Sequence, residues 1–105
     1  MKIKIIITTT DTKEKADLIA EKLINLKISP CVQIIPNIIS NYLWKRAMKK
    51  NKEYLLIIKT ISENVQGCKK HILELHNYDS PEIIVIDSEI LNDKYRDWFV
   101  DSCSR

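Results

Sequence analysis

The chain has 105 residues, of which 45% are hydrophobic and 30% are charged, and its formal net charge at pH 7 is only +3. This length predicts one domain spanning residues 1–105, and the composition excludes an intrinsically disordered chain, which would carry fewer apolar residues and a higher net charge. The single glycine, Gly67, excludes the glycine-rich phosphate loops of P-loop and dinucleotide-binding proteins, which need several residues without a Cβ.

Signals of membrane insertion and of a disulfide framework are also missing from the sequence. No apolar run approaches the ~18 residues that span a bilayer, and the apolar amino terminus gives way to polar residues 8–11 too early for a signal sequence. Three cysteines, Cys31, Cys68 and Cys103, stand at wide spacing without a CxxC pair. We therefore expect free thiols, no membrane partner and a cytoplasmic location.

Hydrophobic periodicity predicts the first elements in chain order. Residues 3–9, rich in β-branched side chains, are predicted to form a strand, and residues 12–27 carry apolar side chains at helical spacing. Residues 31–44 are predicted to form one long strand, kinked at Pro36. The polar and basic residues 45–52 are predicted to be a hairpin tip.

A second strand, helix and strand follow the tip. Residues 53–60 are predicted to form the third strand, residues 62–75 the second helix and residues 82–87 the fourth strand. An aromatic cluster at residues 95–99 marks a short carboxy-terminal helix. The resulting βαββαβ order predicts an α+β, ferredoxin-like fold, in which a four-stranded antiparallel sheet carries both crossover helices on one face.

The predicted strands are apolar at nearly every position rather than alternately. This pattern is typical of strands that are buried on both faces, although the two crossover helices can cover only one face. Contact with further copies of the chain would cover the second face, so we expect a homo-oligomer.

The basic tip and the histidines indicate neither nucleic-acid binding nor catalysis. The tip has no interleaved aromatic residues, and the third strand lacks the stacking aromatics of RNA-binding sheets, so no nucleic-acid partner is expected. His71 and His76 lie in no nucleophile elbow or HExxH helix, and no early arginine supports an acylphosphatase-like site. We expect no enzymatic activity.

The cysteines and His76 are the side chains best suited to bind a metal. Cys31 opens the second strand in an apolar context, which favours a small core residue over a ligand, and Cys68 lies on the apolar stripe of the second helix. Cys103 is predicted to lie in a frayed terminus. His76 begins the polar segment 76–82, which is equally typical of a ligand site and of an ordinary turn.

Five segments together resemble the CutA divalent-cation-tolerance family. They are Cys31-Val32, residues 40–44, residues 53–60, residues 76–83 and the closing Tyr95-Arg96-Asp97-Trp98. The resemblance covers nearly the whole chain. It implies a non-catalytic homotrimer of ferredoxin-like subunits, similar in form to PII-type regulators and associated with tolerance of divalent metals, copper especially.

The resemblance implies that the long second strand and the third strand reach a neighbouring subunit. Tyr42, Trp44 and Trp98 would then lie at the trimer interface, although for Trp98 a role as core anchor of its helix is the stronger expectation. The chain departs from the family pattern at Lys45 and Arg46, where glutamate and glycine are usual. This departure leaves the conformation of the tip open.

Clefts between subunits are the ligand sites that the resemblance implies. The positions that the family keeps around them correspond here to Lys59, Tyr78, Glu82 and Tyr95, with Lys59 and Glu82 as candidate partners. Such clefts could hold a small anionic ligand or a metal. The alternative function, from another class, is a signalling or scaffold trimer that binds a small molecule or a protein there without metal.

Copper binding is predicted to be weak. The copper ligands that the resemblance implies, a cysteine ending the first strand and a histidine pair, correspond here to Thr8, Leu75 and His76, so only one imidazole remains. Cys31 is a less favoured donor because a buried thiol resists deprotonation. The predicted cofactor is therefore copper or another divalent metal, bound with roughly micromolar or poorer affinity.

Overall fold

A computed structural model describes residues 2–103 of the chain. Its sheet has four strands in the order β2-β3-β1-β4, and all neighbouring strands are antiparallel. The elements are β1 (Ile3–Thr10), α1 (Lys13–Asn25), β2 (Cys31–Trp44), β3 (Ala47–Ile61), α2 (Val65–Leu75), β4 (Ile84–Ser88) and α3 (Asp93–Ser102). The predicted α+β fold and its βαββαβ order with a terminal helix are confirmed.

Local side-chain signals place the helix boundaries. The hydroxyl of Thr12 accepts a hydrogen bond from the backbone N–H of Lys15 at the start of α1, and Asn92 caps α3 in the same way. The helix predicted over residues 12–27 ends at Asn25, and Lys27, with a φ of 61°, turns the chain toward β2. Within residues 2–103, no helix is both long and apolar enough to cross a membrane.

One face of the sheet, which we call the covered face, packs against α1 and α2. Neighbouring strands place fully buried apolar side chains side by side on it, and the two helices supply the other half of this core. Its fully buried members are Ile6, Ala16, Ile19, Leu23, Leu56, Ile58, Cys68 and Ile72. The predicted core position of Cys68 is confirmed.

The opposite face, which we call the open face, is covered only at one corner. There α3 packs Phe99 and Cys103 against Ile3 and Ile61. Elsewhere large apolar side chains of this face stay exposed, namely Ile35 at 44%, Ile84 at 51% and Ile86 at 46%. A single chain therefore buries one sheet face and leaves the other largely uncovered.

Two predictions about the carboxy-terminal helix are wrong. Cys103 is not frayed, because it is buried beside Phe99 and donates its backbone N–H to the Phe99 carbonyl. The core anchor of α3 is Phe99, which is fully buried, whereas Trp98 is 48% exposed. Helical geometry explains this, since Phe99 and Cys103 lie one turn apart on the face toward the sheet and Trp98 lies about 100° away.

The hairpin tip predicted over residues 45–52 is much shorter in the structure. β2 and β3 stay paired as far as Trp44 and Ala47, so most of the predicted tip belongs to β3. Lys45 and Arg46 alone form the turn, with φ values of 51° and 66°. Two left-handed residues are typical of a type I′ turn, which favours Asn and Gly, so a Lys-Arg pair carries no sequence signal of it.

The kink predicted in β2 is confirmed. The register between β2 and β3 shifts between Ile35 and Ile38, where Pro36 lacks a backbone N–H and Asn37 has a φ of 60°. Beyond this bulge the two strands pair only with each other, because the pairing of β1 with β3 ends at Tyr54. We call this projecting hairpin, residues 36–53, the hairpin arm.

Candidate functional site

A cavity of about 580 Å³ lies between the hairpin arm and the segment that joins α2 to β4. We call it the arm cavity. Carboxylate and aromatic side chains dominate its chemistry: Glu53, Asp79, Glu82, Tyr42, Trp44 and Tyr78. It therefore brings two of the predicted cleft residues, Tyr78 and Glu82, together with both predicted interface aromatics of the arm.

Glu53 is the buried charge of the arm cavity. Glu53 is only 6% exposed, and its Oε2 accepts a hydrogen bond from the Tyr78 hydroxyl at 2.7 Å. Burial, together with this bond to the Glu53 carboxylate, raises the pKa of Tyr78 above its usual range. The phenol therefore keeps its proton at neutral pH and acts as the donor.

Tyr42 is fixed on the arm side of the cavity by a cross-strand contact. The side-chain amide of Asn51 donates to the Tyr42 hydroxyl at 2.5 Å. No signal in the sequence identifies either Asn51 or Glu53 as a site residue. Both are polar residues where a basic tip meets an apolar strand, so only the folded hairpin distinguishes them from ordinary surface positions.

His76 is held by backbone groups at both of its ring nitrogens. Nε2 lies 2.6 Å from the carbonyl oxygen of Thr9, and Nδ1 accepts from the backbone N–H of Tyr78 at 3.1 Å. Since an accepting Nδ1 carries no proton, the proton of the neutral ring is on Nε2 and is donated to Thr9. His76 thus fastens the segment after α2 to the end of β1 and positions Tyr78 at the cavity.

The sequence-predicted metal ligands do not converge within one chain. Thr8 is fully buried on the covered face beside Leu56. Cys31 pairs with Lys59 of β3, about 13 Å along that strand from Leu55, which pairs with the Thr9 that His76 contacts. Among residues 2–103, no group of three or more His, Cys, Asp or Glu side chains is placed to hold a metal ion. The residues of a single chain therefore do not fit a preformed copper site.

Cys31 is not the small core residue that the sequence predicts. It is half-buried, belongs to neither apolar cluster and lies beside the Tyr95 hydroxyl. Partial burial and the neighbouring thiol raise the pKa of Tyr95. The physical reason is the alternation of the strand, which turns Cys31 toward the open face and its neighbour Val32 toward the covered face.

The four predicted cleft residues fall into two groups. Tyr78 and Glu82 line the arm cavity, whereas Lys59 and Tyr95 lie near the start of β2. Lys59 and the cavity residue Glu53 are about 20 Å apart along β3 at about 3.3 Å per residue. Among the described residues, Lys59 and Glu82 form no ion pair with each other.

Comparison with known proteins identifies the family. The family described as "CutA1 divalent ion tolerance protein" matches residues 4–102. The chain belongs to the CutA1 family. The resemblance carried by the five sequence segments is thereby confirmed, and the matched residues include both groups of predicted cleft positions.

Relatives within the family differ in length and in named location. Protein CutA 1, chloroplastic, of Oryza sativa is 34% identical over 98 residues, which are 93% of this chain and 55% of that protein. The divalent-cation tolerance protein CutA of Thermus thermophilus is 30% identical over 90% of this chain and 92% of its own length. The chain thus spans about half the length of the plant relative and most of the bacterial one.

Solved CutA structures share the fold over the whole chain. CutA1 from Ehrlichia chaffeensis superimposes with a TM-score of 0.92 at 38% identity and covers 100% of this chain and 99% of its own. A periplasmic CutA from Archaeoglobus fulgidus gives a TM-score of 0.92 at 28% identity over 97% of this chain and 99% of its own. The four-stranded sheet with its three helices is therefore the family's fold.

Proposed function

We propose that the chain serves divalent-cation tolerance, copper tolerance in particular, as a non-catalytic homotrimer. The observation that carries the assembly is the open face, where Ile35, Ile84 and Ile86 are each about half exposed in the single chain. Exposed large apolar side chains on both edge strands of one sheet face mark an interaction site, and a symmetric oligomer would bury them.

The hairpin arm supports a cyclic trimer over a two-fold dimer. Its outer part carries exposed apolar side chains, with Leu43 at 76%, Trp44 at 45% and Met48 at 66% exposure. The chain therefore offers two different apolar surfaces, the arm and the open face. Contact between unlike surfaces is heterologous, and such contacts form a closed ring, of which a trimer is the smallest beyond a dimer, when the rotation between subunits closes. Trp98 and Tyr95 on α3 extend the same interface.

The state of the reactive side chains supports a non-catalytic role. Burial raises the pKa of the Cys68 thiol to about 11 and raises that of Cys103 as well, so neither forms a nucleophilic thiolate at neutral pH. Both nitrogens of His76 are already hydrogen-bonded to the backbone. These groups stabilise the fold rather than offer a general base.

Copper binding in this proposal is weak. His76 is the imidazole donor, and copper would have to displace either the Tyr78 N–H from Nδ1 or the proton from Nε2. Titration calorimetry of tag-free protein with Cu²⁺ and Zn²⁺ measures this affinity directly. Tight, stoichiometric binding of either ion would overturn the weak-binding part of the proposal.

Light scattering of the eluting protein at micromolar concentration tests the assembly. We expect the mass of a trimer for the wild type and a smaller mass for Ile86→Lys, which places a charge on the open face. Glu21→Lys, on the exposed side of α1, is the control and should leave the trimer intact. A monomeric wild type would contradict the homotrimer.

The arm cavity favours a second candidate, a signalling or scaffold trimer that binds a small molecule without metal. A volume of about 580 Å³ lies in the range of small-molecule sites, which is about 300–1,000 Å³. Aromatic and polar side chains line it, and no metal-holding cluster is found among the described residues. Ligand binding that persists in the presence of a chelator would favour this candidate.

A further inference from the structure

The described side chains that line the arm cavity include carboxylates but no cationic group. Glu53, Asp79 and Glu82 line it, and none of the lysines or arginines of residues 2–103 does, although the chain as a whole has a net charge of +3. A buried carboxylate normally has a cationic partner or several donors. Glu53 is 6% exposed and accepts its hydrogen bond from the neutral Tyr78 hydroxyl. The cavity therefore favours a cationic ligand.

The lack of a metal-holding group among the described residues favours an organic cation over a metal ion. Hard divalent ions need several oxygen ligands within about 2.0–2.6 Å of one point. The described residues contain no group of three or more candidate ligands arranged in that way. A cavity of about 580 Å³ whose three carboxylates form no such group instead suits a larger organic cation.

The aromatic residues of the cavity support the same ligand class. Tyr42 is held by Asn51, and Tyr78 is held by Glu53, so two of the three rings have fixed hydroxyl groups. Trp44, the third ring, lines the same cavity. Aromatic faces attract ammonium groups and also contact the methylene groups between them.

We propose that the arm cavity binds an aliphatic diamine or polyamine, with one ammonium group at Glu53, a second toward Glu82 and the methylene chain against Trp44. This inference rests on the second function proposed above, ligand binding without metal, and names the chemical class of the ligand. The same ammonium chemistry could come from a lysine side chain of a neighbouring copy, which would leave the assembled protein unable to bind a free diamine.

Three probes of equal length and different charge test the inference. Tag-free wild-type protein is titrated at about 0.15 M ionic strength, which screens non-specific attraction, with 1,4-diaminobutane, 1,4-butanediol and succinate. We expect saturable binding of the diamine alone, seen by calorimetry and as a change in tryptophan fluorescence. Binding of the diol or succinate without the diamine would overturn the cation inference and leave the ligand-binding function standing. Binding of none would count against both.

Charge-neutral variants locate the binding site. Glu53→Gln retains a side-chain acceptor for Tyr78 but removes the charge, and we expect diamine affinity to fall by about tenfold or more, which corresponds to about 1.4 kcal/mol. Glu82→Gln changes an exposed residue, cannot disturb the core and should also weaken binding. Glu21→Gln on α1 is the matched control and should bind as the wild type does. Unchanged affinity in both cavity variants would overturn the proposal.

Discussion

The covered and open faces of the sheet are built from the same kinds of side chain but lie in different environments. Ile6 and Ile58 are fully buried under the two crossover helices, whereas Ile84 and Ile86 on the other face are about half exposed. Alternation along the strands alone decides which isoleucine faces which side. The comparison shows that an apolar strand predicts burial but does not say whether the covering surface comes from the same chain.

The largest expected effect is the difference between the two faces in the stability lost when a buried or exposed side chain is truncated. Leu56→Ala, on the covered face, should lower the free energy of unfolding by about 2–5 kcal/mol, since it opens a cavity among fully buried side chains. Urea denaturation measures it. Ile86→Ala, on the open face, should cost less, and its cost should depend on protein concentration. Equal, concentration-independent losses would show that the faces do not differ in this way.

The second test asks whether the arm joins the open face in the assembly. Trp44→Ala should weaken subunit association by about 2–4 kcal/mol, because large aromatic side chains dominate interfaces. Lys50→Ala, an exposed charge on the opposite strand of the arm, should change it by about 0–1 kcal/mol. Sedimentation equilibrium provides both values. Similar effects of the two variants would exclude Trp44 as an interface anchor.

The third test uses the burial of the Cys68 thiol in the core between the helices and the sheet. Burial raises the pKa of Cys68 from its usual value near 9 to about 11. As the pH rises, the thiol of the unfolded chain ionises before the buried thiol does. The contribution of the neutral Cys68 thiol to stability is therefore complete below about pH 9 and is lost progressively between about pH 9 and pH 11. We expect this to remove about 2–3 kcal/mol from the free energy of unfolding. Urea titrations across this window should show a shallower decline in Cys68→Ala, and identical slopes would contradict the assignment.

The sequence predicts the elements of both faces because periodicity is a local signal. Runs of isoleucine mark the strands, Pro36 marks the kink and the apolar stripe of α2 places Cys68 in the core. The turn at Lys45 and Arg46 escapes prediction because neither residue favours a positive φ. There the pairing of two long strands imposes the turn on the residues that connect them.

The candidate site is less predictable because its contacts join distant parts of the chain. Glu53 and Tyr78 are 25 residues apart, and His76 and Thr9 are 67 residues apart. No local pattern encodes such pairs, so His76 and Tyr78 are found only through the polar character of their segment and through the family resemblance. Trp98 shows the reverse problem, since aromatic content alone cannot tell it from Phe99 as the anchor of α3.

The smallest expected effect concerns copper at the junction of α2 and β1. His76 already donates to the Thr9 carbonyl and accepts from the Tyr78 N–H, so metal binding must break one of these bonds. Roughly micromolar or poorer affinity for Cu²⁺ is expected from one imidazole with oxygen donors nearby. Titration calorimetry should show that His76→Ala largely abolishes this binding.

His71→Ala is the matched control for the copper measurement. It removes the other imidazole of the chain, which lies on α2 with Nδ1 3.4 Å from Glu74, and should leave copper binding unchanged. Because His76→Ala also releases the segment that positions Tyr78, circular dichroism should confirm that the variant keeps its secondary structure. Tight copper binding that survives His76→Ala would instead move the site to the cysteines, of which Cys31 on the open face is the most accessible.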